Sequence, residues 1–197
     1  MMTAVILAAG RSSRFGRPKA FLPVGPGGPP FVERLVATFR SAGVNEVVVV
    51  GRAGDDGLRE CCDRAGARFV ENPLADRGQL SSLICALDAL GREVSAVIVT
   101  PVDMPLIRAD TIGAVRDAFL GSGAAIARAA YRGRHGHPVI FAAAVFGELR
   151  RADPDHGAKA VVRAHGTAVL DVDVDDEGVL RDVDTAQDYR DLFGADA

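Results

Sequence analysis

The sequence predicts a single α/β domain in which a doubly wound, mostly parallel sheet carries helices on both faces. Short β-rich segments alternate along the chain with segments of helical pattern, which is typical of βαβ units. Two of these β-rich segments, 46–50 and 96–100, are largely apolar without alternation, as expected for strands buried on both faces. The chain has 197 residues, 48% of them hydrophobic and 25% charged, which suits one domain spanning 1–197.

Each element follows from the local pattern. The predicted strands are Thr3–Ala8, Glu46–Val50, Arg68–Glu71, Ala96–Thr100, Ala124–Ala129, Pro138–Phe141 and Ala168–Val172. Helical patterns cover Phe31–Ser41, Gly54–Ala65, Ser81–Leu90 and Ala109–Leu120, and a glycine suited to ending a helix follows each of them. A last helix begins near Asp184 or Thr185. In sheets of this kind ligands bind at the carboxyl ends of the strands, so 9–19, 101–105 and 173–188 are the candidate functional segments.

Charge and cysteine content exclude several classes of protein. A net charge of −3 gives no general attraction to nucleic acid or to an anionic membrane. Three cysteines without a CxxC pair form neither a disulfide framework nor a zinc site, and no apolar run approaches the roughly 20 residues of a membrane span. We therefore expect a cytoplasmic protein that binds neither nucleic acid nor membranes.

The segment after the first strand is a candidate phosphate-binding loop. It reads LAAGRSSRFGRPK from Leu7 to Lys19, and its small residues allow backbone N–H groups to approach phosphate oxygens. Arg14 and Lys19 add the charge that a triphosphate needs, so we expect Lys19 to serve the ligand rather than stability. The spacing matches neither the P-loop nor the GxGxxG fingerprint. The alternative is a tight turn with surface cations.

Two carboxylates are candidate ligands of a metal ion. Asp103 follows the fourth strand between two prolines, and Mg²⁺ prefers one or two carboxylates together with phosphate oxygens. Asp184 lies in the acidic segment 181–188. Each has a helix-capping alternative, and for Asp184 the two interpretations stay open because Asp-Thr at a helix start is ordinary capping chemistry.

Other polar clusters are less specific. Ser81 and Ser82 are suited to capping the third helix or to facing a ligand. His135 and His137 alternate like a metal pair, but no third ligand is evident nearby, and such histidines more often bind anions or pack at a turn.

Three motifs together resemble the MobA/MocA-like NTP transferase family, whose doubly wound domain is similar to that of GT-A glycosyltransferases. They are LAAGxSxRxGxxK at 7–19, VDMP at 102–105 and DVDTAQD at 182–188. Relatives usually have Gly or Ala where this chain has Val102. The resemblance implies that Arg14 and Lys19 bind phosphate oxygens and that Asp103 and Asp184 bind Mg²⁺. It also implies nucleotide contacts from four residues of the loop, namely Leu7, Ala8, Ala9 and Gly10.

Further motifs resemble the molybdenum cofactor cytidylyltransferase branch of this family. GQLSSL at 78–83 looks like its G-x-x-[ST]-S-L segment, which implies that Gly78 and Ser82 face a pyrimidine. GHPVIF at 136–141 and DHGAK at 155–159 imply that His137, Asp155 and Lys159 border the pocket for the second substrate, although Arg is usual where this chain has Lys159.

The resemblance implies Mg²⁺-dependent transfer of CMP from CTP to the phosphate of molybdenum-molybdopterin, with release of pyrophosphate. It also implies transient contact with a molybdoenzyme or its chaperone. The alternatives are an NTP transferase acting on a sugar or polyol phosphate and a non-catalytic cofactor-delivery protein on the same fold. Intact Lys19, Asp103 and Asp184 favour a catalyst, since a pure binding module need not keep all three.

Overall fold

Seven strands form one sheet in the computed structural model, which describes residues 1–11 and 15–196. The strands are β1 (Met2–Leu7), β2 (Val47–Arg52), β3 (Arg68–Asn72), β4 (Ala96–Pro101), β5 (Ile126–Tyr131), β6 (Arg134–Ala142) and β7 (Leu170–Asp173). Their order across the sheet is β3-β2-β1-β4-β6-β5-β7. Only β6, among the strands described, runs antiparallel to its neighbours β4 and β5. The predicted mostly parallel sheet is confirmed.

The hairpin between β5 and β6 was not anticipated from the sequence. Its two connecting residues, Arg132 and Gly133, have φ values of 49° and 74°, the pattern of a tight turn whose twist matches the strands. Ala130 pairs with His135 and Tyr131 with Arg134 across the turn, so β6 begins four residues before the predicted Pro138. The longer strand carries His135 and His137 into the sheet beside β4.

Seven α-helices lie among the described residues. They are α1 (Phe31–Ser41), α2 (Asp56–Ala65), α3 (Gln79–Ala89), α4 (Ala109–Ser122), α5 (Phe146–Arg151), α6 (Ala158–His165) and α7 (Ala186–Phe193). The sequence assigned no helix to the positions of α5 and α6. The sequence also predicted that α4 ends before Gly121, whereas the helix continues through that glycine to Ser122 and is followed by the C-cap residue Gly123, whose φ is +68°.

The start of α3 decides the role of its serines. Gly78 occupies the N-cap position, with no side-chain cap, so Ser81 and Ser82 lie inside the helix. The interpretation of these serines as helix caps is therefore wrong. Their hydroxyl groups are available for other contacts.

Alternate residues of β1 pack on opposite faces of the sheet. Ile6 is fully buried in a cluster with Phe31 and Leu35 of α1, while Val5 is buried in a second cluster with Leu83 and Leu87 of α3. Burial of each such side chain stabilises the fold by roughly 1.5–3 kcal/mol. The predicted helices on both faces are confirmed, and β1 and β4 at the centre deliver the segments that follow them to the same edge.

Candidate functional site

A cavity of about 810 Å³ opens at the carboxyl ends of β1 and β4. Backbone hydrogen bonds hold the segments that follow these two strands to the sheet. The Ala8 N–H donates to Val50 O (2.8 Å), and the Val102 N–H donates to Leu7 O (3.0 Å). Nine of the residues predicted from the sequence line it, namely Leu7, Ala8, Ala9, Gly10, Lys19, Gly78, Ser82, Asp103 and Asp184. We call it the first cavity.

Lys19 lies between the two predicted metal-binding carboxylates. Its Nζ is 3.0 Å from Asp103 Oδ2 and 2.6 Å from Asp184 Oδ1. The Lys19 side chain is only 10% exposed, against 20% for Asp103 and 30% for Asp184. Burial opposes the charge of the ammonium, but the hydrogen bonds and negative charges of Asp184 and Asp103 outweigh it and raise the pKa of Lys19.

Local backbone contacts bring the two carboxylates together. The Val183 N–H donates to Asp103 O (2.8 Å), which ties the segment before α7 to the end of β4. The helix itself is held by Tyr189, which is buried and donates its hydroxyl to Pro23 O (2.8 Å). Asp184 is thereby placed beside Asp103.

The helix cap at α7 is formed by residues other than Asp184. Thr185 occupies the N-cap, its hydroxyl accepts from the Asp188 N–H, and the Asp188 carboxylate accepts from the Thr185 N–H in return. Asp188 also accepts from the Asp184 N–H (3.0 Å). The Asp184 side chain takes no part in this cap and lines the first cavity. This supports the interpretation of Asp184 as a metal ligand over its interpretation as a helix cap. Asp103 does not cap α4 either, since Arg108 is its N-cap residue.

A second cavity of about 860 Å³ adjoins the first. It is lined by the predicted second-substrate residues His137, Asp155 and Lys159, and it shares Leu7, Asp103 and Asp184 with the first cavity. Its other basic lining residues are Arg128, Arg134 and Arg163. The two cavities therefore meet at the carboxylate pair, and the lining of the second carries both basic and acidic side chains, with Asp155 and Asp182 among the acidic ones.

The two histidines of β6 have separate partners. His137 Nδ1 lies 3.3 Å from Val99 O, an acceptor only, so Nδ1 carries the hydrogen; burial lowers the pKa of His137. His135 Nε2 lies 3.1 Å from Asp171 Oδ2. Within residues 1–11 and 15–196 no group of three or more His, Cys, Asp or Glu side chains is placed to hold a metal ion. The histidine-pair metal site thus has no support.

A cluster at the mouth of the first cavity was missed by the sequence analysis. Asp76 accepts from Arg11 (3.0 and 2.7 Å) and from Arg52 (2.6 Å), and Arg52 also donates to Ala9 O (3.2 Å). The hydrogen bond from Arg11, followed by that from Arg52, holds the pKa of Asp76 well below its usual range. Arg52 is the last residue of a buried strand, at the edge of the sheet where ligands bind. This position could have indicated from the sequence that Arg52 belongs to the site.

Asp171 was missed as well. It accepts from Arg128, a lining residue of the second cavity, and this contact lowers the pKa of Asp171. Of the predicted site residues, Arg14 lies outside the described part of the chain. The other predicted site residues line one cavity or both.

By its sheet and by cavities at the carboxyl ends of its strands, the protein is an α/β protein of the nucleotide-binding type. The chain belongs to the family of the MobA-like NTP transferase domain, whose model matches residues 4–169. The family predicted from the three motifs is confirmed. In the described ranges no helix is both long enough and apolar enough to cross a membrane.

Two curated relatives were found. A molybdenum cofactor guanylyltransferase of Xanthomonas euvesicatoria pv. vesicatoria is 39% identical over 111 residues, which is 56% of this chain and 51% of the relative. A probable molybdenum cofactor guanylyltransferase of Pelotomaculum thermopropionicum is 32% identical over 174 residues, 86% of this chain and 73% of the relative. The chain thus matches about half the length of the Xanthomonas protein.

Solved structures with similar folds include Rv0371c of Mycobacterium tuberculosis H37Rv. It is 28% identical, with a TM-score of 0.82 and coverage of 98% of both chains. The same mycobacterial protein in complex with manganese is 27% identical, with a TM-score of 0.74 and again 98% coverage of both chains.

Proposed function

We propose that the protein transfers the CMP moiety of CTP to the phosphate of molybdenum-molybdopterin. An oxygen of the acceptor phosphate attacks the α-phosphorus of CTP in line, the bond from that phosphorus to the bridging oxygen breaks, and pyrophosphate leaves. The observation that carries this proposal is the meeting of two cavities at Asp103 and Asp184. A donor nucleotide and an anionic acceptor bound in them would have their reacting groups side by side.

The first cavity has the groups that a triphosphate needs. Lys19 supplies a fixed positive charge beside the carboxylates, and Ala9 and Gly10 of the loop after β1 line the cavity as small residues that let a phosphate approach the backbone closely. By the family motif, Arg14 adds a second charge. No dedicated general base is required, because the acceptor phosphate is already ionised.

The carboxylate pair fits a magnesium ion. Asp103 and Asp184 already surround one cation, the Lys19 ammonium, and two carboxylates with nucleotide oxygens are the ligands that Mg²⁺ prefers. When bound, the ion would neutralise charge on the triphosphate and on the leaving pyrophosphate. The mycobacterial protein solved in complex with manganese is 27% identical to this chain, which supports a divalent cation as a cofactor.

The second cavity suits the acceptor. Lys159, Arg134 and Arg163 offer charge to a phosphate, and His137 holds its Nδ1 hydrogen toward Val99 O, which leaves Nε2 as an acceptor for an N–H of a heterocycle. Molybdopterin carries both a phosphate and a pterin ring. Both curated relatives are named for the molybdenum cofactor, which supports this acceptor over a sugar or polyol phosphate.

The residues that line the first cavity are the reason for proposing cytosine as the base of the donor nucleotide. Ala9 is 4% exposed and belongs to that lining, so its methyl group takes up room that a purine would need. GTP is a second candidate, because both curated relatives are named guanylyltransferases.

Pyrophosphate release tests the proposal. The purified protein with Mg²⁺ is given CTP or GTP together with molybdopterin, a sugar phosphate or a polyol phosphate, and the products are identified by mass spectrometry. We expect a cytosine dinucleotide of the molybdopterin only. Formation of a guanine dinucleotide would identify GTP rather than CTP as the donor nucleotide. Formation of a nucleotide sugar would identify a sugar phosphate rather than molybdopterin as the acceptor. Tight binding of both ligands without pyrophosphate would instead favour a cofactor-delivery protein.

A further inference from the structure

Asn72 is a buried polar residue at the end of β3, only 1% exposed. Its Oδ1 accepts from the backbone N–H of Leu74 (2.8 Å). Because a peptide N–H only donates, this contact establishes which end of the side chain is oxygen. The Nδ2 group of Asn72 must therefore face α3.

This orientation sets the direction of two hydroxyl groups. Asn72 Nδ2 donates to Ser81 Oγ (2.8 Å) and to Ser82 Oγ (2.9 Å), so both oxygens accept and both hydroxyl hydrogens point elsewhere. Ser81 donates its hydrogen to Gly78 O (2.7 Å). For Ser82 the described residues offer no protein acceptor, and Ser82 is the serine of this pair that lines the first cavity.

We propose that Asn72 is a positioning residue that holds the Ser82 hydroxyl as a hydrogen-bond donor toward the base of the bound nucleotide. This inference rests on the proposed function, in which the first cavity takes CTP. Cytosine presents two neighbouring acceptors, N3 and O2, whereas guanine presents two neighbouring donors, N1–H and the N2 amino group, beside one acceptor, O6. A donor fixed at Ser82 favours the first pattern and leaves the second unpaired.

Two substitutions separate this role from a structural one. Ser82→Ala removes the donor, and the affinity for CTP should fall about tenfold. Asn72→Asp keeps the acceptor for the Leu74 N–H but replaces the amide donor by a second acceptor, so the Ser82 hydroxyl turns toward residue 72. The ratio of CTP to GTP affinity should then fall by about tenfold or more.

Ser81→Ala is the matched control, because Ser81 bonds the same amide but is absent from the cavity lining. Affinities for CTP, GTP and inorganic tripolyphosphate are measured by calorimetry with Mg²⁺ for the wild type, each variant and Asn72→Asp combined with Ser82→Ala. Tripolyphosphate has no base, so its affinity should stay unchanged. Asn72→Asp should have no further effect on the nucleotide ratio once Ser82 is alanine.

Several results would overturn the inference. One is a folded Asn72→Asp variant whose ratio of CTP to GTP affinity equals that of the wild type. Another is a loss of tripolyphosphate affinity as large as the loss of CTP affinity. The third is an equal effect of Asn72→Asp on the nucleotide ratio in the presence of Ser82 and in the Ser82→Ala background. If Asn72→Asp does not fold, equal effects of Ser82→Ala and Ser81→Ala reject it, and a loss confined to Ser82→Ala and to CTP supports it. Failure of the proposed transfer is recognised separately, as wild-type protein that binds CTP but releases no pyrophosphate with molybdopterin.

Discussion

The Nζ atom of Lys19 lies 2.6 Å from Oδ1 of Asp184, although the two residues are 165 positions apart in the chain. Lys19 belongs to a short 3-10 helix after the loop that follows β1, and Asp184 directly precedes the N-cap of α7. Asp103, from the end of β4, is the third member. The segments after β1, after β4 and before α7 therefore meet at one ammonium group.

Asp103→Asn should lower turnover by about 100-fold or more, because it removes a charge that neutralises the cation beside the reacting phosphates. The volume is nearly unchanged, so the circular dichroism spectrum should match that of the wild type. Turnover is measured across a range of Mg²⁺ concentrations. Asp117→Asn, which changes a 66% exposed carboxylate on α4, serves as the control. Near-normal turnover of the Asp103 variant at limiting Mg²⁺ would remove Asp103 from the metal site.

Lys19→Ala should weaken CTP binding and also lower the free energy of unfolding without ligand by about 1–2 kcal/mol, between the values for exposed and buried ion pairs. From the sequence we expected Lys19 to bind the ligand without contributing to stability. Its contacts with the two carboxylates are the reason for expecting a contribution to stability as well. The measurement is urea unfolding with and without Mg²⁺, which should restore more stability to the variant than to the wild type. The control is Lys159→Ala, at the chain's other lysine. Equal stability of wild type and Lys19→Ala would contradict the structural role.

Asp188→Ala should cost about 1 kcal/mol of stability near neutral pH, because it removes half of the capping box of α7. The Thr185 hydroxyl and the backbone N–H groups of Thr185 and Asp184 lower the pKa of Asp188. A carboxyl group whose pKa is lowered by folding stabilises the protein above its unfolded pKa. That contribution is lost as the pH falls through the folded pKa. The difference between wild type and variant should therefore shrink below about pH 4, as measured by urea unfolding. A difference that stays constant to pH 2 would mean that the carboxylate is not responsible.

Much of the site could be predicted because it follows strands with a strong signal. The apolar segments of β1 and β4 are buried from end to end, or nearly so, and Lys19 and Asp103 come shortly after them. The position of Asp184 could not be decided in the same way. Either Asp184 or Thr185 is suited to an N-cap, and the choice depends on Asp188 and on a lysine from the start of the chain.

Elements with weak local signals were missed for a different reason. The helix α5 has six residues, and the N-cap residue of α6 is Gly157, which has a φ of +63° and provides no side-chain cap. Such short helices are stabilised by packing, here of Leu149 and Val161 on one face of the sheet, rather than by intrinsic propensity. The contacts of Asn72 could not be predicted from the sequence either, because they join β3 to α3 through side chains.

Lys159→Ala should raise the KM for the acceptor by about tenfold while the KM for CTP stays unchanged, because Lys159 lines the second cavity and not the first. Lys159→Arg keeps the charge and should restore the affinity. Initial rates are measured with each substrate varied in turn. A change confined to the KM for CTP would place the acceptor elsewhere.

Ala9→Gly should narrow the preference for CTP over GTP by about tenfold, because a single methyl group in a packed pocket discriminates by that order. Ala9 is 4% exposed in the lining of the first cavity, so its removal gives room to the larger guanine. The two nucleotides compete in one reaction, and mass spectrometry gives the ratio of the products. Ala4→Gly removes a buried methyl group from the preceding strand β1, away from the cavity, so it should lower stability without changing that ratio. If the wild type itself prefers GTP, the cytidylyl proposal is wrong, while the nucleotidyltransferase family remains.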